Sequence, residues 1–588
     1  MTKARSKIGE SKVRVGLALI YALLGVWLFS VFGKLLVAPW LVMVVSFGTL
    51  VMLVFQKVIF QPKTILGKYL KFPQGLIGIG ISLWAGLALG LTEIFLKIPH
   101  FEITWTRILA ILALSIWIYP WILAFLMWLE KGVERWRKKE KPKKPKVAIW
   151  WISLIIMVGI WLLYLIAFNP AGLSSDSIDT IKQVTGEYAL SSGHPLLYTL
   201  IIKLFWTIYA HPSLVCVGQI LGLGSLAASF FYFLYKQGLK PIVIYIAAAV
   251  FAVFPATGTI VVTIWKDGLF TIGVLWTTFL LMQMVFDKER FGRSWVKTVA
   301  MILALLIMVL TRHNGIVAFW GTILAIGFFY WRRWTAQILI TIGGAIALLF
   351  LFNGPLHRQL NVIENVSHAK YTTLVHGIGS VIATDGDLPT DVETMALSIA
   401  PQKIWTELYN PYTMGTYQYG EAMPYLIYYQ YAERPFIEIV EQYWRSFLTS
   451  PRQIIRDRLQ LTSIVWEINT PPKGYIYRHT DWEAAEELGL KHWSNKLTDD
   501  YVSTELSVMT LDAIFWRVGI YNVALLIIGF FWIVNKKSQY LISLIPWLGN
   551  ILLLMLICFS QDYRYVHFVP VICFFVFLTA ITLRHDKN

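Results

Sequence analysis

The chain has 588 residues, of which 57% are hydrophobic and only 14% are charged. A typical water-soluble domain has about 45–50% apolar and about 25% charged residues, so this composition excludes an ordinary soluble protein. The formal net charge is +17, and the three cysteines Cys216, Cys558 and Cys573 all lie in apolar runs. We therefore expect neither a disulfide framework nor a cysteine-based zinc site.

The N-terminus carries five basic residues before an apolar run, as a signal peptide does. That run has no clear small-residue cleavage site and leads directly into another one, so we interpret it as a retained first membrane helix. About fourteen apolar runs have spanning or near-spanning length, and together they predict an all-α polytopic membrane protein. The runs are approximately 15–33, 36–56, 75–96, 107–129, 147–168, 212–235, 241–263, 268–286, 298–311, 314–330, 335–353, 518–535, 539–558 and 565–583.

Lysine and arginine in the short connections predict the orientation of these helices. With the N-terminus inside, every second connection is basic, and 131–146 is the most basic of them. This is the positive-inside pattern of a bacterial cytoplasmic membrane protein with both termini in the cytoplasm. Contact with anionic lipid then explains the net positive charge, and no nucleic-acid partner is needed.

Two connections on the outer side are long, 169–211 and 354–517. The second contains 13 Lys/Arg and 20 Asp/Glu, a net charge of −7, and its apolar spacing is mostly helical. We divide the chain at these segments into four parts. They are a four-helix extension at 1–146, a membrane module at 147–353 containing loop 169–211, an extracytoplasmic helical domain at 354–517, and a three-helix membrane segment at 518–588.

The first outer loop contains a predicted amphipathic helix that starts near Asp176, with Ser174 or Ser175 as its cap. Carboxylate and amide side chains recur at helical spacing and are expected on one face: Asp176, Asp179, Gln183 and Glu187. They either face water, as most such groups do, or form a site. Asp176 and Asp179 could deprotonate an acceptor hydroxyl or hold a divalent cation, and the sequence indicates no other cofactor.

Three polar groups between later spans are further candidates for a functional site, and they lie on the same predicted side as Asp176. They are Trp265-Lys266-Asp267, Arg312-His313-Asn314 and Gln561-Asp562-Tyr563-Arg564-Tyr565. The basic residues either pair locally, Lys266 with Asp267 and Arg564 with Asp562, or share an anionic ligand. Arginine in particular suits bidentate phosphate binding.

The sequence lacks the GxxxxGK[ST], HExxH and GxSxG motifs. ATP-driven transport by this chain alone is therefore not expected. A transporter of lipid-linked saccharides remains an alternative, although such proteins usually place ionisable groups near the bilayer midplane. A non-catalytic cell-envelope assembly protein is a third alternative.

With an aspartate in its first outer loop followed by Gly193-His194-Pro195, and with basic residues in later outer turns, the region 147–583 resembles the GT-C superfamily of membrane glycosyltransferases. It is most similar to a Gram-positive bacterial group with a later Arg-x-Asn-Gly element, here Arg312-His313-Asn314-Gly315. The resemblance implies a GT-C-like helical bundle and an inverting transferase.

By that resemblance, the donor is a polyprenyl-phosphate-linked sugar and the acceptor is a cell-envelope glycan, lipid or protein. Asp176, or second-best Asp179, would be the catalytic base, and Lys266, Arg312 and Arg564 would bind the donor phosphate. The expected supporting residues are His194, Asp267, His313, Asn314, Asp562 and Gln183. The sequence does not separate a transferase from a polymerase or ligase of surface glycans.

Overall fold

The computed structural model describes residues 66–96, 105–137, 146–364, 369–418, 420–468, 475–476, 486, 488–490 and 512–582. The predicted spans 15–33 and 36–56, including the retained first helix, lie outside the described residues. Half of loop 131–146 and most of 469–511 also lie outside them.

The helices up to residue 359, the last of which lies in the second outer segment, are given first in chain order. They are α1 Leu66–Leu70, α2 Gln74–Leu96, α3 Trp105–Arg137, α4 Ala148–Ala167, α5 Ser175–Thr185, α6 Leu196–Ile208, α7 Pro212–Lys236, α8 Pro241–Val253, α9 Pro255–Val261, α10 Lys266–Phe286, α11 Lys288–Phe291, α12 Trp295–Leu310, α13 Gly315–Phe329, α14 Ala336–Leu351 and α15 His357–Gln359.

The remaining helices belong to the second outer segment and the C-terminal part. They are α16 Ala369–Ala383, α17 Thr390–Ile399, α18 Gln402–Glu407, α19 Gly415–Gln418, α20 Ile427–Ala432, α21 Phe436–Thr449, α22 Pro451–Leu461, α23 Ser463–Trp466, α24 Asp512–Phe515, α25 Gly519–Val534, α26 Ile545–Ile557 and α27 Phe568–Thr582. Two strands of two residues each, β1 Tyr475–Ile476 and β2 Gln561–Asp562, pair in parallel.

Within the described ranges, seven helices are long and apolar enough to cross a membrane. An eighth span results if α8 and α9, which meet at a bend of 67°, are counted together. The predicted runs 75–96, 298–311, 314–330 and 518–535 correspond to shorter apolar helices. The protein is therefore a mainly α-helical, multi-pass membrane protein, and the total of fourteen spans stays a prediction.

The outer segment has a hydrophobic cluster of its own between residues 371 and 439, which includes Trp405 and Tyr431. Its helices α20 and α21 are separated by a turn before Pro435. Helix α23, by contrast, packs into the large cluster of the membrane helices. The outer segment is thus joined to the bundle at α23 and at the β1–β2 pair.

Two spans are the most buried of those described, α10 and the segment Tyr563–Thr582 that contains α27. Aromatic side chains fill the space around them: the ring of Phe230 lies 4.5 Å from that of Phe279 and 4.6 Å from that of Phe575, centroid to centroid. Helices that are apolar on all sides are expected in such central positions. The polar residues at the start of these two spans therefore sit at one end of the bundle core.

Candidate functional site

The start of helix α5 positions Asp176. The N-cap is Ser174, one of the two serines predicted for this role, and its backbone N–H donates to the Ser177 hydroxyl at 3.1 Å. The indole N–H of Trp265 donates to the Ser174 hydroxyl at 2.8 Å, and the Ser177 hydroxyl donates to the carbonyl of Ile264 at 2.8 Å. These bonds attach the N-terminus of α5 to the residues just before α10.

A short parallel bridge strengthens this attachment. The Gly172 N–H donates to the Val262 carbonyl at 2.9 Å, and the Ile264 N–H donates to the Gly172 carbonyl at 3.0 Å. Only glycine permits this approach, because a Cβ at position 172 would collide with the Thr263 side chain. The first outer loop is thus fixed beside the start of α10 by both backbone and side-chain bonds.

Arg564 is the centre of the first ion-pair group. Its Nη1 lies 2.6 Å from Asp176 Oδ2, and its Nε lies 2.6 Å from Asp562 Oδ2. The pair with Asp562 was one of the two local pairs anticipated from the sequence. The pair with Asp176 joins residues 388 positions apart, so Arg564 connects the first outer loop to the last span.

Arg312 forms the second ion-pair group with Asp267. Asp267 is buried and Arg312 nearly so, and Asp267 pairs with this arginine, 45 positions away in the chain, where the sequence had suggested its neighbour Lys266. The Tyr565 ring lies between the two arginines, 4.4 Å from the Arg312 guanidinium carbon and 5.5 Å from that of Arg564. Stacking on an aromatic face keeps a guanidinium oriented while leaving its edge donors available.

The third contact joins Lys266 and His194, whose Nζ and Nδ1 atoms are 3.3 Å apart. Burial, together with the positive charge of Lys266, lowers the pKa of His194 to about 4. Near neutral pH His194 is therefore uncharged and can accept a hydrogen bond from the lysine. Burial and the same lysine also lower the pKa of His313.

Burial alone would raise the pKa of Asp176, but the positive charges of Arg564 and Lys266 outweigh it and hold this pKa well below its usual range. Asp176 is therefore ionised throughout the physiological pH range. While it is paired with Arg564, the carboxylate is a weak base, because a general base acts best with a pKa near the working pH.

These contacts define what we call the polar cluster. Its charged members lie within electrostatic range of one another, and three carboxylates balance three basic groups: Asp176, Asp267, Asp562, Lys266, Arg312 and Arg564. His194 and His313 adjoin it. Asn314, two positions after Arg312 in the sequence, is buried. Neither polar atom of its amide has a hydrogen-bond partner among the described residues.

Two predicted residues lie elsewhere than expected. Asp179 is exposed, and Gln183 is buried, where its Oε1 accepts a hydrogen bond from the Ser191 backbone N–H at 3.1 Å. The four polar residues 176, 179, 183 and 187 therefore do not share one face of a helix. Helix α5 ends at Thr185, before the last of them, and it packs Gln183 inward. Among the described residues no group of three or more His, Cys, Asp or Glu side chains could hold a metal ion.

Sequence reasoning missed the aromatic members of the site. The indole N–H of Trp265 donates to the Ser174 hydroxyl, and the centre of its ring lies 5.1 Å from the Arg564 guanidinium carbon. The Tyr565 ring contacts both Arg312 and Arg564. Their signal was present, since each is adjacent in sequence to a basic residue in one of the three polar groups. The expected interfacial role of Trp and Tyr in membrane proteins concealed it.

No protein-family model, curated protein or solved structure matches this chain.

Proposed function

We propose that the protein is an inverting membrane glycosyltransferase that uses a polyprenyl-phosphate-linked sugar as donor. The acceptor would be a glycan, lipid or protein of the cell envelope, reached on the outer face of a bacterial plasma membrane. The observation that carries the proposal is the contact of Arg564 with both Asp176 and Asp562 beside two further basic residues, Lys266 and Arg312. This reaction needs a base and several phosphate-binding side chains close to one another.

The charge balance of the polar cluster suggests how donor binding and base activation are linked. Arg564 has two carboxylate partners, Asp176 and Asp562. A donor phosphate that takes the Asp176-facing edge of Arg564 would separate Asp176 from its counter-ion. The pKa of the released carboxylate would then rise towards its ordinary value, because its strongest nearby positive charge is neutralised.

In the reaction itself, the acceptor hydroxyl oxygen attacks the anomeric carbon while the bond from that carbon to the phosphate oxygen breaks. The hydroxyl proton passes to Asp176, and polyprenyl phosphate leaves with the bonding electron pair. Lys266, Arg312 and Arg564 would stabilise the charge that develops on the phosphate, and such preorganised donors are usually the largest contribution to catalysis.

The test compares two identical substitutions on one helix, Asp176→Asn and Asp179→Asn. Purified protein in lipid nanodiscs is incubated with polyprenyl-phosphate sugars labelled in a hexose, N-acetylhexosamine or pentose, together with cell-envelope extract. We measure release of polyprenyl phosphate and transfer of label. D176N should lose at least about 100-fold in rate, the usual contribution of a general base, whereas D179N should retain activity.

The proposal is wrong if the wild-type protein turns over none of these donors. It is also wrong if D176N and D179N are equally active. Asn314→Ala adds a separate readout, since a buried amide without a hydrogen-bond partner among the described residues, two positions after Arg312 in the sequence, is suited to bind a sugar hydroxyl or phosphate oxygen. This variant should raise the KM for the donor.

The bend between α8 and α9 favours the second candidate, a transporter of lipid-linked saccharides, because broken helices often form transport sites. In this bend, however, the freed carbonyls of Ala252 and Val253 accept hydrogen bonds from Trp161 Nε1 and the Tyr164 hydroxyl, each at 3.1 Å. We therefore favour a structural role for the break. Translocation of a fluorescent lipid-linked saccharide by proteoliposomes, without release of polyprenyl phosphate, would support the transporter instead.

A further inference from the structure

The opposite end of helix α10 from the polar cluster carries a second concentration of charge. Helix α10 has 21 residues, and at 1.5 Å per residue it is about 30 Å long, the thickness of a bilayer hydrocarbon core. Lys266 begins this helix, and Lys288 and Arg293 follow its end. The segment 330–335, between α13 and α14, lies beside them.

A groove separates these two connections. Its volume is about 220 Å³, and Lys288, Arg293, Tyr330, Arg333 and Trp334 are among the residues that line it. An apolar cavity of about 150 Å³ is large enough to take up benzene. This groove therefore has room for a small polar group such as a phosphate ester.

The charges that line the groove are unbalanced. Three basic side chains share one carboxylate, Glu289, which pairs with Arg333 and lies 4.0 Å from Arg293 at the limit of an ion pair. The ammonium of Lys288 donates to the Phe329 carbonyl at 2.6 Å and has further donors to offer. An excess of two positive charges, with Arg293 75% exposed, suits a monoanionic phosphodiester.

Exposed aromatic residues indicate the depth of the groove in the membrane. Trp334 lines it, and Trp331 and Trp295 lie nearby in sequence; all three are largely exposed. Tryptophan is enriched at the level of the lipid headgroups, where its ring is partly in hydrocarbon and its N–H is in water. The groove is thus placed where lipid phosphodiesters are concentrated.

We propose that this groove binds the headgroup of an anionic phospholipid, with Arg293 and Arg333 on the phosphodiester and Lys288 beside it. By the positive-inside rule this is the cytoplasmic leaflet, which is rich in such lipids. The bound lipid would connect segment 287–294 to segment 330–335 and so hold together the C-terminal ends of α10 and α13. The proposal is independent of the transferase function, because the groove and the polar cluster are at opposite ends of α10.

The experiment counts lipids bound to the purified full chain by native mass spectrometry. Phosphatidylglycerol is titrated against phosphatidylcholine with the same acyl chains, and inorganic phosphate and glycerol phosphate are tested as soluble competitors. The wild-type protein should retain one phosphatidylglycerol more tightly than the rest. Arg293→Gln combined with Arg333→Gln should lower the affinity for this lipid at least tenfold. Added phosphatidylglycerol should then no longer raise the temperature of thermal unfolding.

Arg290→Gln is the matched control, since Arg290 is exposed on the same connection and does not line the groove. It should leave the tight lipid unchanged. Equal retention of phosphatidylcholine would overturn the proposal, as would an equal loss of lipid from R290Q or an unaffected R293Q/R333Q protein. Displacement of the lipid by millimolar inorganic phosphate would show a site for a soluble anion and would also overturn it.

Discussion

Removal of the positive charge of Arg564 should destabilise the protein more than removal of the negative charge of Asp176. Arg564→Gln deprives two carboxylates, Asp176 and Asp562, of their partner, whereas Asp176→Asn leaves Arg564 bound to Asp562. Exposed pairs contribute about 0–1 kcal/mol, and breaking a buried pair costs about 3–5 kcal/mol.

The Arg564 and Asp176 side chains are 16% and 34% exposed, so this pair lies between those limits. We expect R564Q to cost about 2–4 kcal/mol and D176N about 1 kcal/mol. The assay is unfolding in mixed micelles of increasing SDS content, followed by circular dichroism.

The double variant completes a thermodynamic cycle and isolates the Asp176–Arg564 pair. Contacting charged residues usually show coupling of about 0.5–3 kcal/mol, whereas independent sites are additive within about 0.5 kcal/mol. Coupling of about 1–2 kcal/mol is the expected result. Additive effects, or a D176N protein as unstable as R564Q, would refute the reasoning from the two contacts of Arg564.

Three further predictions concern pH, buried charge and backbone approach. Because the pKa of His194 is lowered to about 4, the unfolded chain binds the extra proton between pH 4 and 6.5, and stability falls as pH drops through this window. H194Q should remove about 2 kcal/mol of this pH dependence, measured as the difference in unfolding free energy between pH 7 and pH 5. Arg517→Met breaks a fully buried ion pair and should cost about 3–5 kcal/mol, whereas Arg434→Met, in an exposed pair, should cost at most about 1 kcal/mol; equal melting temperatures would contradict this. Gly172→Ala should cost about 1–3 kcal/mol by forcing apart the bridge at the start of α5, while Gly159→Ala, where the added methyl meets open space, should leave the melting temperature unchanged or raised.

Local patterns in the sequence predict the helices well. Each predicted run from 75–96 onward except 241–263, which is divided between α8 and α9, contains or overlaps one α-helix, and the start of α5 at Ser174–Ser175 follows from its capping residues. Both features depend on local physics, since apolar runs of this length avoid water and the first N–H groups of a helix need acceptors. The bend between α8 and α9 was not predicted, because 241–263 contains no charged residue and is long enough for one span, although Pro255 marks the break.

The location of the charged residues was also encoded locally. Charge within a lipid-facing helix is costly, so Lys266, Arg312 and Arg564 could only occur near helix ends. Basic connections alternate with less basic ones along the chain, and this alternation predicted that the three residues share one side of the membrane with Asp176. The contacts of Arg564 and Lys266 with the first outer loop agree with this prediction.

The choice of partners, however, was decided by the tertiary structure. The sequence offered Asp267 to Lys266 and Asp562 to Arg564, but folding gives Asp267 to Arg312 and adds Asp176 to Arg564. These pairs form because helix packing brings together residues far apart in the chain and excludes water, which strengthens the attraction between the charges that meet. A sequence read along its length specifies which residues reach the end of the bundle, and only the packing of the helices specifies which of them touch.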